Sequence, residues 1–155
     1  MSLSKSPFVR IAIKGYLGWK FDTDLIKRIV METSDRVEAE TSAQLSGSGS
    51  GRSYGVNGGG KYQASAPGEL PAMRSGDLAK SILARRSRDG LVAWVGPSTK
   101  AGLKKPFYPA FLVYGSKTIA KRKNATALAA RRYRARFNRE LASAMQKSVQ
   151  PGPPA

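Results

Sequence analysis

Seven residues, Ile26, Ile29, Val30, Thr33, Val37, Thr41 and Leu45, recur along one stripe at helical spacing. Asp22 or Thr23 can cap the start of such a helix, and Asp24 suits its first turn. The spacing predicts one long helix from there to about Leu45, with Lys27, Arg28, Asp35, Arg36 and Glu38 on its wet side. Such a stripe is covered by the rest of the chain more often than by a partner, and its weakly apolar lower half leaves both readings open.

The next stretch cannot be that cover. Residues 46–60 hold seven glycines and four serines in fifteen positions, leaving little side chain to bury. We expect a mobile surface loop there, or a segment that orders only against neighbouring subunits. Candidates for the cover lie on either side. Residues 8–14 alternate, with Val9, Ile11 and Ile13 opposed to Arg10 and Lys14, which is the period of a strand with one wet face. Gly15 and Gly18 punctuate a turn after it. Residues 82–87 and 91–96 flank Asp89-Gly90, a strong hairpin signal, with Trp94 on the second strand.

Between loop and hairpin, residues 64–72 contain two prolines and a glycine and predict an extended turn segment. Ser75 is placed to cap a short helix with Asp77 in its first turn and Leu78 and Ile82 at i, i+4. Residues 78–83 could end that helix or begin the strand. Residues 98–109 form a basic loop with Lys100, Lys104 and Lys105, and 110–115 read as a further short apolar strand. A long helix is expected from about Ala125 to Val149, with Tyr133, Phe137, Leu141 and Met145 down one face and arginines crowding its first half. The sum is an α+β fold: a small antiparallel sheet, a long N-terminal helix, a short central helix and a long basic C-terminal helix. We expect residues 1–150 to be one domain and 151–155 a disordered tail.

Composition removes several kinds of chemistry. The 155 residues include no cysteine and no histidine, which excludes disulfides, thiolate ligands, imidazole ligands and a Ser-His-Asp triad. Ten carboxylates are scattered, mostly among cations of the first helix, and read as solvated surface pairs. No spacing locates a Ser-Lys dyad. Residues 55–61 match Gly-x-x-x-x-Gly-Lys, but Tyr62 follows where a phosphate loop needs Ser or Thr, and no apolar strand precedes. We therefore expect no enzyme, no cofactor and no metal. No apolar run approaches the ~20 residues of a membrane span, and the first seven residues do not resemble a signal peptide.

Charge points to partners instead. The formal net charge is +17, and residues 100–148 carry +12 of it, with thirteen Lys/Arg against the single acid Glu140. Such segregation favours polyanions or acidic proteins. Lys121, Arg122, Lys123, Arg131, Arg132 and Arg134 are the candidates for lining a DNA channel, through phosphates alone, or for facing an acidic partner. Aromatics are interleaved with the cations: Tyr108, Phe111 and Tyr114 near the lysines, Tyr133 and Phe137 in the arginine helix.

Residues 62–82 read Tyr-Gln-Ala-Ser-Ala-Pro-Gly-Glu-Leu-Pro-Ala-Met-Arg-Ser-Gly-Asp-Leu-Ala-Lys-Ser-Ile. This resembles the signature segment of the neck and tail-completion proteins of long-tailed double-stranded DNA phages. The motif matches lie in residues 64–82; the element order agrees over residues 8–148. In place of the family's frequent Glu and Gly-Thr after the hairpin stands Val113-Tyr114-Gly115-Ser116. The resemblance implies a structural virion protein acting in head–tail joining or tail completion. It would be made in the host cytoplasm and form a homo-oligomeric ring around the DNA passage, six subunits matching tail symmetry. Its partners would be other neck and tail proteins, with non-specific contact to packaged DNA. Because prolines fix φ beforehand, Pro67, Gly68, Glu69 and Pro71 are the candidates for a rigid arm at a subunit interface, the other reading of the segment being an ordinary turn between elements. The alternative is a free-standing, non-specific nucleic-acid-binding protein of the cytosol.

Overall fold

The computed structural model describes residues 9–12, 22–56, 58–103 and 108–148. The expected turn at Gly15 and Gly18, the lysines 104 and 105 and the tail 151–155 lie outside these residues.

Helix α1 (Thr23–Gln44) begins where Asp22 accepts hydrogen bonds from the amides of Asp24 and Leu25 at 3.1 and 3.0 Å. All seven residues of its stripe are buried. The weakly apolar half of that stripe is tolerated because Thr41 donates to the carbonyl of Val37 at 2.6 Å, while Ser34 beside it donates to that of Met31 at 2.8 Å.

A three-stranded antiparallel sheet covers part of the stripe, with β5 (Val92–Pro97) central between β1 (Val9–Ala12) and β4 (Ile82–Arg86). The hairpin β4–β5 closes through Asp89, whose carboxylate accepts the Leu91 amide at 3.0 Å, and Gly90 at φ 72°. Ala93 and Val95 of β5 are fully buried; Val9 and Ile11 of β1 stand in register with Val95 and Ala93. Strand β4 is an edge, and Glu38 of α1 reaches over to accept the Ala84 amide at 2.6 Å.

Helix α4 (Ala125–Ser148) supplies the rest of the cover. Asn124 caps it by accepting from the Ala127 amide at 3.1 Å. It runs antiparallel to α1: Arg132 pairs with Glu40 and Arg36 with Glu140. Tyr133, Phe137, Leu141 and Met145 are half-buried, and the buried apolar positions of the helix are Ala125, Ala129 and Ala144. Small residues let the two helices approach where the sequence pattern had emphasised large ones. The core joins Val37 of α1 and Leu45 at its C-cap, Ala79 of α2 (Asp77–Lys80), Ile82, Val95, Ala125 and Ala129. The residues between helix and strand are thereby settled: α2 ends at Lys80 and β4 starts at Ile82.

Two expectations are corrected. Residues 46–60 are not simply an open loop. Strand β2 (Ser53–Gly55) pairs with β3 (Lys61–Gln63), and the segment before it lies directly on backbone. A Cβ at Gly49 would sit 2.2 Å from the Ala64 carbonyl oxygen, so the glycines permit a contact that side chains would forbid. Residues 110–115 are not a strand either: Tyr108–Tyr114 form helix α3, ended by Gly115 in the left-handed region, whose amide donates to the Phe111 carbonyl at 2.9 Å. A short apolar run does not distinguish strand from helix, and Pro109 in a first turn is compatible with a helix.

Candidate interaction surface

A strap leads from α3 to α4 and carries the first basic cluster. The amide of Arg122 donates to the Leu112 carbonyl at 2.7 Å, and that of Ser116 to Ile119 at 2.8 Å. The strap is stitched to the proline-rich turn: Gly68 donates to the Lys121 carbonyl at 3.0 Å, and Lys123 donates to the Glu69 carbonyl at 2.7 Å. The two groups singled out from the sequence, 67–71 and 121–123, are therefore neighbours.

Their members differ in what they offer. Pro67 and Gly68 form an exposed tip. The Glu69 side chain turns back to accept the amides of Ala66 at 2.8 Å and Ser50 at 3.2 Å, with the Ser50 hydroxyl as a further donor. The Ser50 hydroxyl first, then the Ala66 and Ser50 amides, hold this carboxyl below its usual value, against the opposing effect of burial. Pro71 is buried and lines a cavity of about 30 Å³ with Leu45, Leu78, Ile82 and Leu112. It serves the chain's own core, so the expected contact arm shrinks to Pro67 and Gly68.

The cations separate in the same way. Lys121 and Lys123 are exposed, but the Arg122 guanidinium points inward, donating to the Ser65 hydroxyl at 2.6 Å and the Ser65 carbonyl at 2.9 Å. On α4, Arg132 is tied to Glu40 at 2.7 Å, and Arg136 to Glu140 at 2.6 Å. Arg131 and Arg134 are exposed. All ten Asp and Glu lie among the described residues, and none pairs with Lys121, Lys123, Arg131 or Arg134. These four are the uncommitted part of the expected basic surface.

The three aromatics that the sequence interleaves with lysines share one face, but of a helix rather than of the expected strand: the outer face of α3. Tyr108, Phe111 and Tyr114 are 39, 48 and 41% exposed. Their i, i+3, i+6 spacing was the available signal, obscured by the strand-like composition of the run. On the outer face of β5, Trp94 is also exposed and in register with Arg85.

Among the described residues no group of three His, Cys, Asp or Glu is placed to hold a metal ion. No described helix is long and apolar enough to cross a membrane. Gly55 ends β2 and its register partner Lys61 begins β3, so the residue after the match enters a strand and not the helix that a phosphate loop requires. Compared with known proteins, the chain gives no significant match to a family model, a curated protein or a solved structure.

Proposed function

We propose that this chain is a non-catalytic structural subunit of the neck or tail of a long-tailed phage, acting in head–tail joining or tail completion. In this reading it forms a ring, six subunits favoured, around the DNA passage. The observation that carries the proposal is the exposed Pro67-Gly68 tip of the signature-like segment, held on a fixed base by Glu69 and set beside the uncommitted Lys121 and Lys123. A pre-ordered tip loses little entropy on docking, and a heterologous contact that closes makes a ring.

The unpaired cations also support a second reading, a free-standing protein that binds nucleic acid without sequence preference. Light scattering at low and high salt, with and without duplex DNA, separates the two. A salt-resistant oligomer, or a monomer that ignores DNA but joins isolated tails or capsids, supports the neck subunit. A monomer that binds any duplex, and releases it steeply as salt rises, supports the second reading and rejects the first.

A further inference from the structure

Helix α3, Tyr-Pro-Ala-Phe-Leu-Val-Tyr, has no charged residue. Pro109 and Leu112 are buried on its inner side, yet Tyr108, Phe111 and Tyr114 stand exposed on the outer side. Neighbours at i, i+3 lie about 5–6 Å apart at Cβ, so the rings form one continuous arc. A helix apolar on both sides is ordinarily buried, and an exposed aromatic patch marks a surface that something covers.

The surroundings select the occupant. Residues 90–139 contain no Asp or Glu. Lys117 and Lys121 are exposed just beyond the helix, and the Lys121 side chain packs where a Gly115 Cβ would lie, at 3.1 Å. Burial, with Tyr62 close by, pushes the Tyr108 hydroxyl above its usual value, and Arg74 and Arg122 oppose this more weakly. Glu69, the one carboxylate between residues 41 and 76, is committed to Ser50 and Ala66. The same face of a second copy would set this cationic rim against another like it, and a neutral apolar ligand would leave the cations unused. A polymer of flat rings joined by phosphates uses both features.

We infer that the outer face of α3 is a stacking platform for single-stranded nucleic acid, with Tyr108, Phe111 and Tyr114 taking bases and Lys117 and Lys121 meeting phosphates. In a duplex the bases are already stacked on one another, so this face distinguishes single strands from paired ones. The inference is separate from the neck reading, in which cations meet duplex DNA or protein.

The test is fluorescence anisotropy with a labelled oligothymidine of about 20 nucleotides, longer than the ~4–16 that one small domain covers, against a duplex of equal length. The wild-type protein should prefer the single strand. The double variant Phe111→Ala, Tyr114→Ala should lose at least about tenfold in single-strand affinity, with duplex affinity unchanged. An iodouracil-substituted strand should photo-crosslink the wild-type chain within residues 108–114, a readout that needs no variant. Unchanged single-strand binding by the double variant overturns the inference, as does equal wild-type affinity for both strand states or crosslinking confined to other segments. A double variant that breaks up an oligomer also overturns it, by showing that the face is covered by another copy.

Discussion

The carboxylate of Glu69 accepts the backbone amide of Ser50 at 3.2 Å, nineteen residues back along the chain. Through it the proline-rich turn holds the glycine-rich segment. Because these donors lower the Glu69 pKa on folding, the stabilisation is present above the unfolded value near 4.5 and is lost as pH falls through the lower folded value. Hydrogen bonds lower Glu40 and Asp89 in the same direction. The thermal midpoint should therefore fall as pH drops below about 4.5. In Glu69→Gln that acid-side slope should be shallower, and amide exchange at residues 49–51 faster at pH 7. Equal exchange in variant and wild type would sink the clamp.

The glycines of residues 46–60 should not be equivalent. Gly49 and Gly51 lie against the backbone of residues 64–66, with Cβ positions 2.2 and 2.8 Å from the Ala64 oxygen. At Gly55 and Gly60 nothing lies within 4 Å. Gly49→Ala should cost about 1–3 kcal/mol, the usual range for overpacking, whereas Gly55→Ala and Gly60→Ala should stay within about 0.5 kcal/mol. Chemical denaturation of the three variants measures this. Equal small effects would mean that the segment is not seated on residues 64–66.

The long helices and the β4–β5 hairpin were legible because each announces itself locally: a cap at Asp22, a stripe from Ile26 to Leu45, an Asp-Gly turn. The misreadings share a cause, which is that the deciding contact lies far along the chain. Nothing near Gly49 says that it meets Ala64, and nothing near Arg122 says that its guanidinium serves Ser65. Residues 108–114 carry strand-like side chains, but their helical conformation is accommodated by packing Leu112 and Pro109 inward. Charge alone likewise could not separate Arg132, answered by Glu40 ninety-two positions away, from its free neighbour Arg131.

Helix α3 makes a sharp distinction between adjacent residues. Leu112 is buried and lines the cavity beneath the helix, whereas Phe111 is 48% exposed. Leu112→Ala should destabilise the protein by about 2–5 kcal/mol, and Phe111→Ala by no more than about 0.5 kcal/mol. Thermal melts followed by circular dichroism read both. A large loss at Phe111 would show that its ring is already packed within the chain, and would remove the exposed aromatic face.

The cations of α4 lend themselves to a count. Arg131 and Arg134 are exposed and unpaired at i, i+3, while Arg132 is engaged with Glu40 and Arg136 with Glu140. Each phosphate contact adds about 0.9 to the slope of log affinity against log salt for duplex DNA. If Arg131 and Arg134 both meet phosphates, changing both to Ala should lower that slope by about 2 and weaken binding equally on unrelated sequences. Arg136→Ala should leave the slope nearly unchanged, since its charge is answered within the chain. A double variant that keeps the wild-type slope but no longer joins tails or capsids would assign these arginines to an acidic protein neighbour. Loss of the slope with joining intact would assign them to DNA.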